Sequence, residues 1–267
     1  MVEHGVTGVA ETRVRAVERA LSVVEALTDG QPRTLSDLAA ELEVPKSTLH
    51  GILRTLEARG WLQSGGPTYR LGVRSLLPGA RYLEADAVVS ISTSILDDLV
   101  AEFDETIHLA RLEHNEIVYL AKRDSVQPLR LFSSVGRRLP AHATALGKVL
   151  LAQRTDEEVD ALLDFPLRRL TPNTIVEREP LHRALGEIRQ RGYAMETGES
   201  TVGLTCTAVL INTGPTAQYA LSCSAPDVRI TPERHAAILE GLFQARHTIE
   251  TRLASSPATL AANPSVS

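Results

Sequence analysis

Lys46, Ser47, Thr48, His50 and Arg54 place five hydrogen-bonding, donor-capable side chains within nine residues. Between and just beyond them, Leu49, Ile52, Leu53 and Leu56 recur at spacings of three and four. A helix with that period buries the apolar residues on one face and leaves the donors on the other. Donors and cations near a helix N-terminus suit phosphate oxygens and base edges in a duplex major groove. Pro45 fits the first helical position, where an amide N–H would lack a partner anyway. Arg70, inside Tyr69-Arg70-Leu71, adds a cation that a hairpin would present to flanking phosphates. A small helical bundle with a solvated polar face is the other reading of the same pattern.

A second group of polar residues lies downstream. Thr144 would cap a helix starting at Ala145. The N–H groups of Ala145, Leu146 and Gly147 would then lack intrahelical acceptors and attract a carboxylate, with Gly147 leaving room for close approach. A capped helix end covered by water is the plainer alternative. Ser222 and Ser224 share one face of a strand, as do Cys206 and Ala208. The serines serve as ligand groups or stay solvated; a cysteine such as Cys206 is most often a small core residue. His142 reads as a structural histidine bonded to a backbone group, with a proton shuttle as the alternative. A rival of another class is an enzyme using Cys206 and His142 on a small acid or ester, with an accessory DNA-docking module. No third group is spaced to complete that pair. The chain shows no phosphate-binding glycine loop, zinc spacing or committed carboxylate pair, so no cofactor, metal or catalytic residue is expected.

The elements that must position these residues are legible around them. Thr34-Leu35-Ser36-Asp37 is a helix start, with Thr34 as N-cap and an acid three residues later. Leu35, Leu38, Ala39 and Leu42 give that helix its apolar stripe. Only Glu43 and Val44 separate it from Pro45, the short turn of a helix-turn-helix. Upstream, Val14, Val17, Leu21, Val24 and Leu27 mark another amphipathic helix, ended by Asp29-Gly30-Gln31-Pro32. Arg59-Gly60 stops the donor-bearing helix. Trp61-Leu62-Gln63 and Tyr69-Arg70-Leu71 read as strands around a Ser64-Gly65-Gly66-Pro67 loop. Together these make a winged helix-turn-helix over residues 11–72.

Residues 73–86 read as a linker helix that Pro78-Gly79 interrupts and bends. A second domain spans 87–254. It opens with a helix through Leu96, Leu99, Val100 and Phe103. Strands are expected at Ile107–Leu112, Ile117–Ala121 and Leu129–Val135, then helices at Thr144–Ala152, Asp156–Leu163 and Pro180–Arg191. Thr155 with Glu158 forms a capping box, and Gly192 is a natural stop. Strands resume at Tyr193–Thr197, Thr205–Ile211 and Tyr219–Ser224, with a turn at Asn212-Thr213-Gly214-Pro215. A last helix runs from Thr231-Pro232-Glu233 to about Leu253, and 255–267 reads as a disordered tail. This order implies an α+β fold with helices against a sheet.

The 267 residues suffice for two domains, and at 43% hydrophobic with 4% aromatic residues the core must be mainly aliphatic. A net charge of −5 and a pI near 5.9 weigh against nucleic acid. The charge is uneven, however. Glu11 to Arg74 holds nine basic and eight acidic residues, whereas Ser75 onward is −5. Placement of cations on one helix and a wing matters more than the total, and a dimer would double the phosphate contacts. Met1-Val2-Glu3-His4-Gly5 does not begin a signal peptide, and no apolar run approaches the roughly 18 residues of a membrane span. Cys206 and Cys223 form no metal-type spacing or disulfide framework. A reduced, cytoplasmic protein that does not enter a membrane is expected.

The sequence resembles the IclR family of bacterial transcriptional regulators from about Arg13 to Leu253. The resemblance rests on Pro45-Lys46-Ser47-Thr48-Leu49-His50, Tyr69-Arg70-Leu71-Gly72 and, most specifically, Leu139-Pro140-Ala141-His142-Ala143-Thr144-Ala145-Leu146-Gly147-Lys148. Arg169-Leu170-Thr171-Pro172-Asn173-Thr174-Ile175, Ile188–Ala194 and Gly203-Leu204-Thr205-Cys206-Thr207-Ala208 also fit. The resemblance implies an N-terminal winged helix-turn-helix, a linker helix and a C-terminal GAF-like α+β effector-binding domain. It implies a homodimer or homotetramer that binds palindromic operator DNA and responds to a small organic effector: an organic acid, aromatic acid or polyol phosphate. It also implies that Ala145, Leu146, Glu196, Leu204, Cys206, Ser222 and Ser224 line the effector pocket. Glu196 stands where family members that bind small keto acids carry Asp, and Leu146 where some carry a smaller residue. Both departures count against a very small keto acid.

Overall fold

The computed structural model describes residues 14–127, 133–214 and 218–255. The chain divides into two compact units, one up to Tyr82 and one from Leu83. The first unit begins with α1 (Arg15–Ala26), β1 (Arg33–Thr34), α2 (Leu35–Glu41) and α3 (Lys46–Ala58). It continues with β2 (Leu62–Gly65), β3 (Thr68–Leu71) and, after a 3₁₀ turn at Val73–Ser75, the start of α4 (Leu76–Ala85), within which the division falls. Thr34 and Asp37 form the expected reciprocal cap on α2. The turn into α3 is closed by the Val44 N–H donating to the Ala39 carbonyl at 3.2 Å, with Glu43 left-handed at φ +52°. Pro45 is the N-cap of α3 and Lys46 its first residue, so the helix starts one position later than expected.

Behind α3, Leu49 and Leu53 are fully buried with Val23, Leu27, Leu38, Val44 and Leu62. The wing is a hairpin of β2 and β3, to which the unforeseen β1 adds a third antiparallel strand in the order β1-β3-β2. Gly66 takes φ +65° ahead of Pro67, the sign order of a type II′ hairpin turn. Two expectations are corrected here. Val14, Val17 and Leu21 do not face the core but are 62%, 56% and 57% exposed; of the expected stripe Leu27 is buried, joined by Val23, which the stripe did not include. Pro78-Gly79 does not interrupt α4, because Pro78 lies in the first turn, where its missing N–H breaks no helical bond.

The second unit contains α5 (Ala87–Phe103), β4 (Thr106–Glu113), β5 (Glu116–Arg123) and β6 (Arg138–Pro140). A 3₁₀ turn at Ala141–Ala143 leads into α6 (Ala145–Leu151), followed by α7 (Asp156–Leu162) and α8 (Arg178–Arg191). The chain then forms β7 (Tyr193–Thr197), β8 (Leu204–Ile211), β9 (Tyr219–Pro226) and α9 (Pro232–Ala254). Six strands make one antiparallel sheet in the order β6-β5-β4-β9-β8-β7. Its two faces differ in chemistry. One carries Ile107, Leu109, Val209, Ile211 and Leu221 into an aliphatic core with α5 and α9. The other packs against α6, α7 and α8 through smaller residues, including Ala110, Ala194, Ala208 and Ala220. Of the strand expected at Leu129–Val135, residues 129–132 lie outside the described residues and 133–135 are not strand. Residues 1–13, Pro215 of the expected turn and 256–267 of the expected tail also lie outside them.

Candidate functional site

The α3 helix brings its polar residues together as the spacing implies. Lys46, Ser47, Thr48, His50 and Arg54 are all exposed, while Leu49 and Leu53 hold the opposite face at 0% exposure. Arg70 is exposed on β3, opposite Gln63. Two contacts fix this scaffold. Glu57 near the end of α3 accepts a hydrogen bond from Ser64 of the wing. Arg33 donates to the Ala26 carbonyl at 2.5 Å and pairs with Asp29 at 2.7 Å and Glu41 at 3.0 Å, tying α1 to α2. The Arg33 hydrogen bond holds the Asp29 carboxyl down at about 2. These arrangements make α3 a rigid cationic edge with no carboxylate on its first two turns.

In the second unit, antiparallel register lines up a polar row on the buried face beneath α6. Thr106 pairs with Ser224, Ser224 with Cys206, and Cys206 with Glu196. One step along, His108 pairs with Ser222, Ser222 with Ala208, and Ala208 with Ala194. Because alternate residues share a face, Leu204 joins Cys206 on this side. Ala145 and Leu146 are buried at the start of α6, which packs across β7, β8 and β9. The structure thus places Glu196, Leu204, Cys206, Ser222 and Ser224 on one sheet face with Ala145 and Leu146 on the helix that covers it.

The polar groups are unequally engaged. Glu196 accepts the Glu199 N–H at 2.8 Å and the Ser200 hydroxyl at 2.9 Å, so both its oxygens are held by the loop after β7. Burial nonetheless raises its pKa. Burial, reinforced by Glu196, pushes the Cys206 thiol well above its ordinary value. A protonated thiol is a poor nucleophile. His142 is buried, with Nε2 2.9 Å from the Arg168 carbonyl oxygen, and burial lowers its pKa. That is the structural role read from the sequence, and among the described residues no hydrogen bond joins it to Cys206. Thr144 caps α6 by accepting the Gly147 N–H at 2.9 Å, so that donor is spent. Gly147 also makes its close approach to the Ala141 backbone rather than leaving space above the helix.

Sequence reasoning missed the frame around this face. Lys148, 2% exposed on α6, forms a buried ion pair with Glu199. Thr171 donates to the Gly198 carbonyl at 2.5 Å and Thr174 to the Glu199 carbonyl at 2.8 Å, so the Leu170–Thr174 segment fixes the same loop. A lone lysine inside the apolar run Ala145–Leu151 was the available signal, since a buried ammonium demands a partner. Also unforeseen, His108 is buried against Tyr119, with ring centroids 4.7 Å apart. Among the described residues no cluster of three or more metal-ligating side chains occurs, and no helix is long and apolar enough to cross a membrane.

Comparison with known proteins gives these surfaces a context. The IclR helix-turn-helix domain matches residues 16–66, and the bacterial transcriptional regulator IclR C-terminal domain matches 80–251. The HTH-type transcriptional regulator XynR of Escherichia coli is 32% identical over 237 residues, covering 87% of this chain and 94% of XynR. The HTH-type transcriptional repressor AllR of Klebsiella pneumoniae is 30% identical over 254 residues, covering 93% of each. Among solved structures, an IclR homolog from Microbacterium hydrocarbonoxydans complexed with 4-hydroxybenzoate aligns at a TM-score of 0.80 with 29% identity. That alignment covers 90% of this chain and 100% of the other.

Proposed function

Because this chain belongs to the IclR family of bacterial transcriptional regulators, and so is a DNA-binding regulator rather than an enzyme, we propose that it represses genes through a palindromic operator under the control of a small organic effector. In this reading residues 11–72 are the DNA reader, 73–86 the linker and 87–254 the effector-binding domain. The protein works in the cytoplasm as a homodimer or homotetramer. Lys46, Ser47, Thr48, His50 and Arg54 contact the major groove, and Arg70 contacts a flanking phosphate. The observation that carries this is the exposed donor face of α3 braced by a fully buried leucine pair.

The effector, an organic acid, aromatic acid or polyol phosphate, sits between the polar sheet rows and the start of α6. Ala145, Leu146, Glu196, Leu204, Cys206, Ser222 and Ser224 line that site. The contrast between a polar, small-residue face and an aliphatic opposite face supports this placement. The 4-hydroxybenzoate complexed with the Microbacterium relative supports the chemical class of the effector, a small organic acid. By binding one state of the domain better than another, the effector shifts operator affinity.

A gel-shift titration on a fragment of the promoter region beside the gene tests the reader. Arg54→Ala should weaken binding about tenfold or more if the guanidinium reads a base. Unchanged affinity would remove Arg54 from the contact set.

A further inference from the structure

The polar rows contain a group that the effector reading leaves unused. His108 on β4 is 2% exposed and lies in register with Ser222. Its Nε2 is 2.8 Å from the Ser133 hydroxyl oxygen, and the Tyr119 ring packs against its own at a tilt of 37°. Its Nδ1 is buried and has no hydrogen-bond partner among the described residues. A buried polar atom without a partner is destabilising, so its retention calls for a group that arrives from outside the chain.

We infer that His108 is a specificity-determining residue of the effector site, selecting small organic acids that bear a hydroxyl group. The inference rests on the effector-binding reading above and adds the chemistry that the site prefers. Valence favours a hydroxyl. Burial and the nearby Lys122 charge keep the imidazole neutral, so one ring nitrogen donates and the other accepts. The Ser133 hydroxyl satisfies Nε2 in either tautomer. Nδ1 is therefore an acceptor or a donor, and a ligand hydroxyl answers both, whereas a carboxylate or ketone answers only one. The side chains beside it are small. Ala110 lies two residues along the same face, Ser222 is the cross-strand partner, and Ala208 follows beyond Ser222. Tyr119 supplies an aromatic wall, which suits a flat or polyhydroxylated ligand.

Matched acids test this on the full-length protein. The probes are 4-hydroxybenzoate with benzoate, 3-hydroxybutyrate with butyrate, and gluconate with hexanoate. Thermal shift and calorimetry compare the wild type with His108→Leu and His108→Asn. At least one hydroxylated acid should bind the wild type about tenfold more tightly than its deoxy partner. His108→Leu should abolish that difference, and His108→Asn, which keeps a polar atom near the Nδ1 position, should retain part of it. In wild-type protein with ¹⁵N-labelled histidine, the His108 Nδ1 resonance should move with the hydroxylated acid and not with its partner, a readout that stands even if His108→Leu does not fold. Equal binding of both members of every pair, a preference unchanged in His108→Leu, or a silent Nδ1 resonance would overturn the role of His108 while leaving effector binding intact. Failure of all six acids to bind the wild type would overturn both readings for organic acids.

Discussion

A methyl group on Gly147 would sit 2.1 Å from the carbonyl oxygen of Ala141, and both sides of that contact are backbone. Neither can yield without moving α6 off the 3₁₀ turn. Gly147→Ala should therefore destabilise the second unit by about 3 kcal/mol. Gly186→Ala, with nothing within 4 Å of the added carbon in the middle of α8, should instead stabilise it by about 0.5–1 kcal/mol. Urea denaturation followed by circular dichroism separates the two; equal midpoints would contradict the packing of α6 described here. The buried histidines give a second prediction. Burial pushes His108 down to about 3, and it also lowers His142. Between an unfolded value of about 6.5 and the folded one, the unfolded chain binds more protons, so stability is full above about pH 6.5 and falls as pH drops toward 3. The His108 part of that slope is at most about 1.4 kcal/mol per pH unit and should vanish in His108→Asn. Denaturant midpoints measured from pH 7 to pH 4 check this, and a flat profile in the wild type would contradict it. At this scale Lys148 passed unread in the sequence, and its apolar surroundings would have shown that it needed a partner but not where that partner lay. Glu199 is 51 residues away, and no periodicity connects a helix to the loop after a distant strand.

Short elements with local signals were the most legible. Thr34–Asp37 and Thr155–Glu158 are reciprocal caps in the structure, because each needs only residues three apart. The α2–α3 turn was also readable, yet its strain was not: Glu43 occupies the left-handed region at φ +52°. That conformation suits glycine, so Glu43→Gly should raise the stability of the first unit by about 0.5–1 kcal/mol, measured by thermal unfolding. A loss of stability would mean that the Glu43 side chain supplies more than the backbone strain removes. β1 was missed because two residues carry no alternation. The face of α1 was misread for a different reason. Val14, Val17 and Leu21 have the spacing of a buried stripe, but periodicity cannot say whether the partner is the same chain. Only the packing of Val23 and Leu27 shows which side the first unit itself covers. The sheet rows were half legible: Ser222 with Ser224 followed from strand parity, whereas their alignment with His108 and Thr106 required the long-range register.

For the whole molecule, the acidic total and the cationic edge are compatible because duplex binding depends on where charge is placed. A net charge of −5 repels the phosphate backbone at long range, so a single reader should bind weakly and two coupled readers should bind with a steep salt dependence. If the chain pairs as proposed, the exposed stripe of Val14, Val17 and Leu21 is the apolar face of the reader unit that a second copy would cover. The decisive measurement is fluorescence anisotropy of the neighbouring promoter fragment across a salt series, with wild type, Leu21→Glu and a scrambled duplex. Wild type should prefer the promoter over the scrambled duplex by about a thousandfold or more and lose affinity steeply with salt. Leu21→Glu should lose most of that preference and show a shallower slope. Wild-type binding no tighter to the promoter than to scrambled DNA would contradict the account.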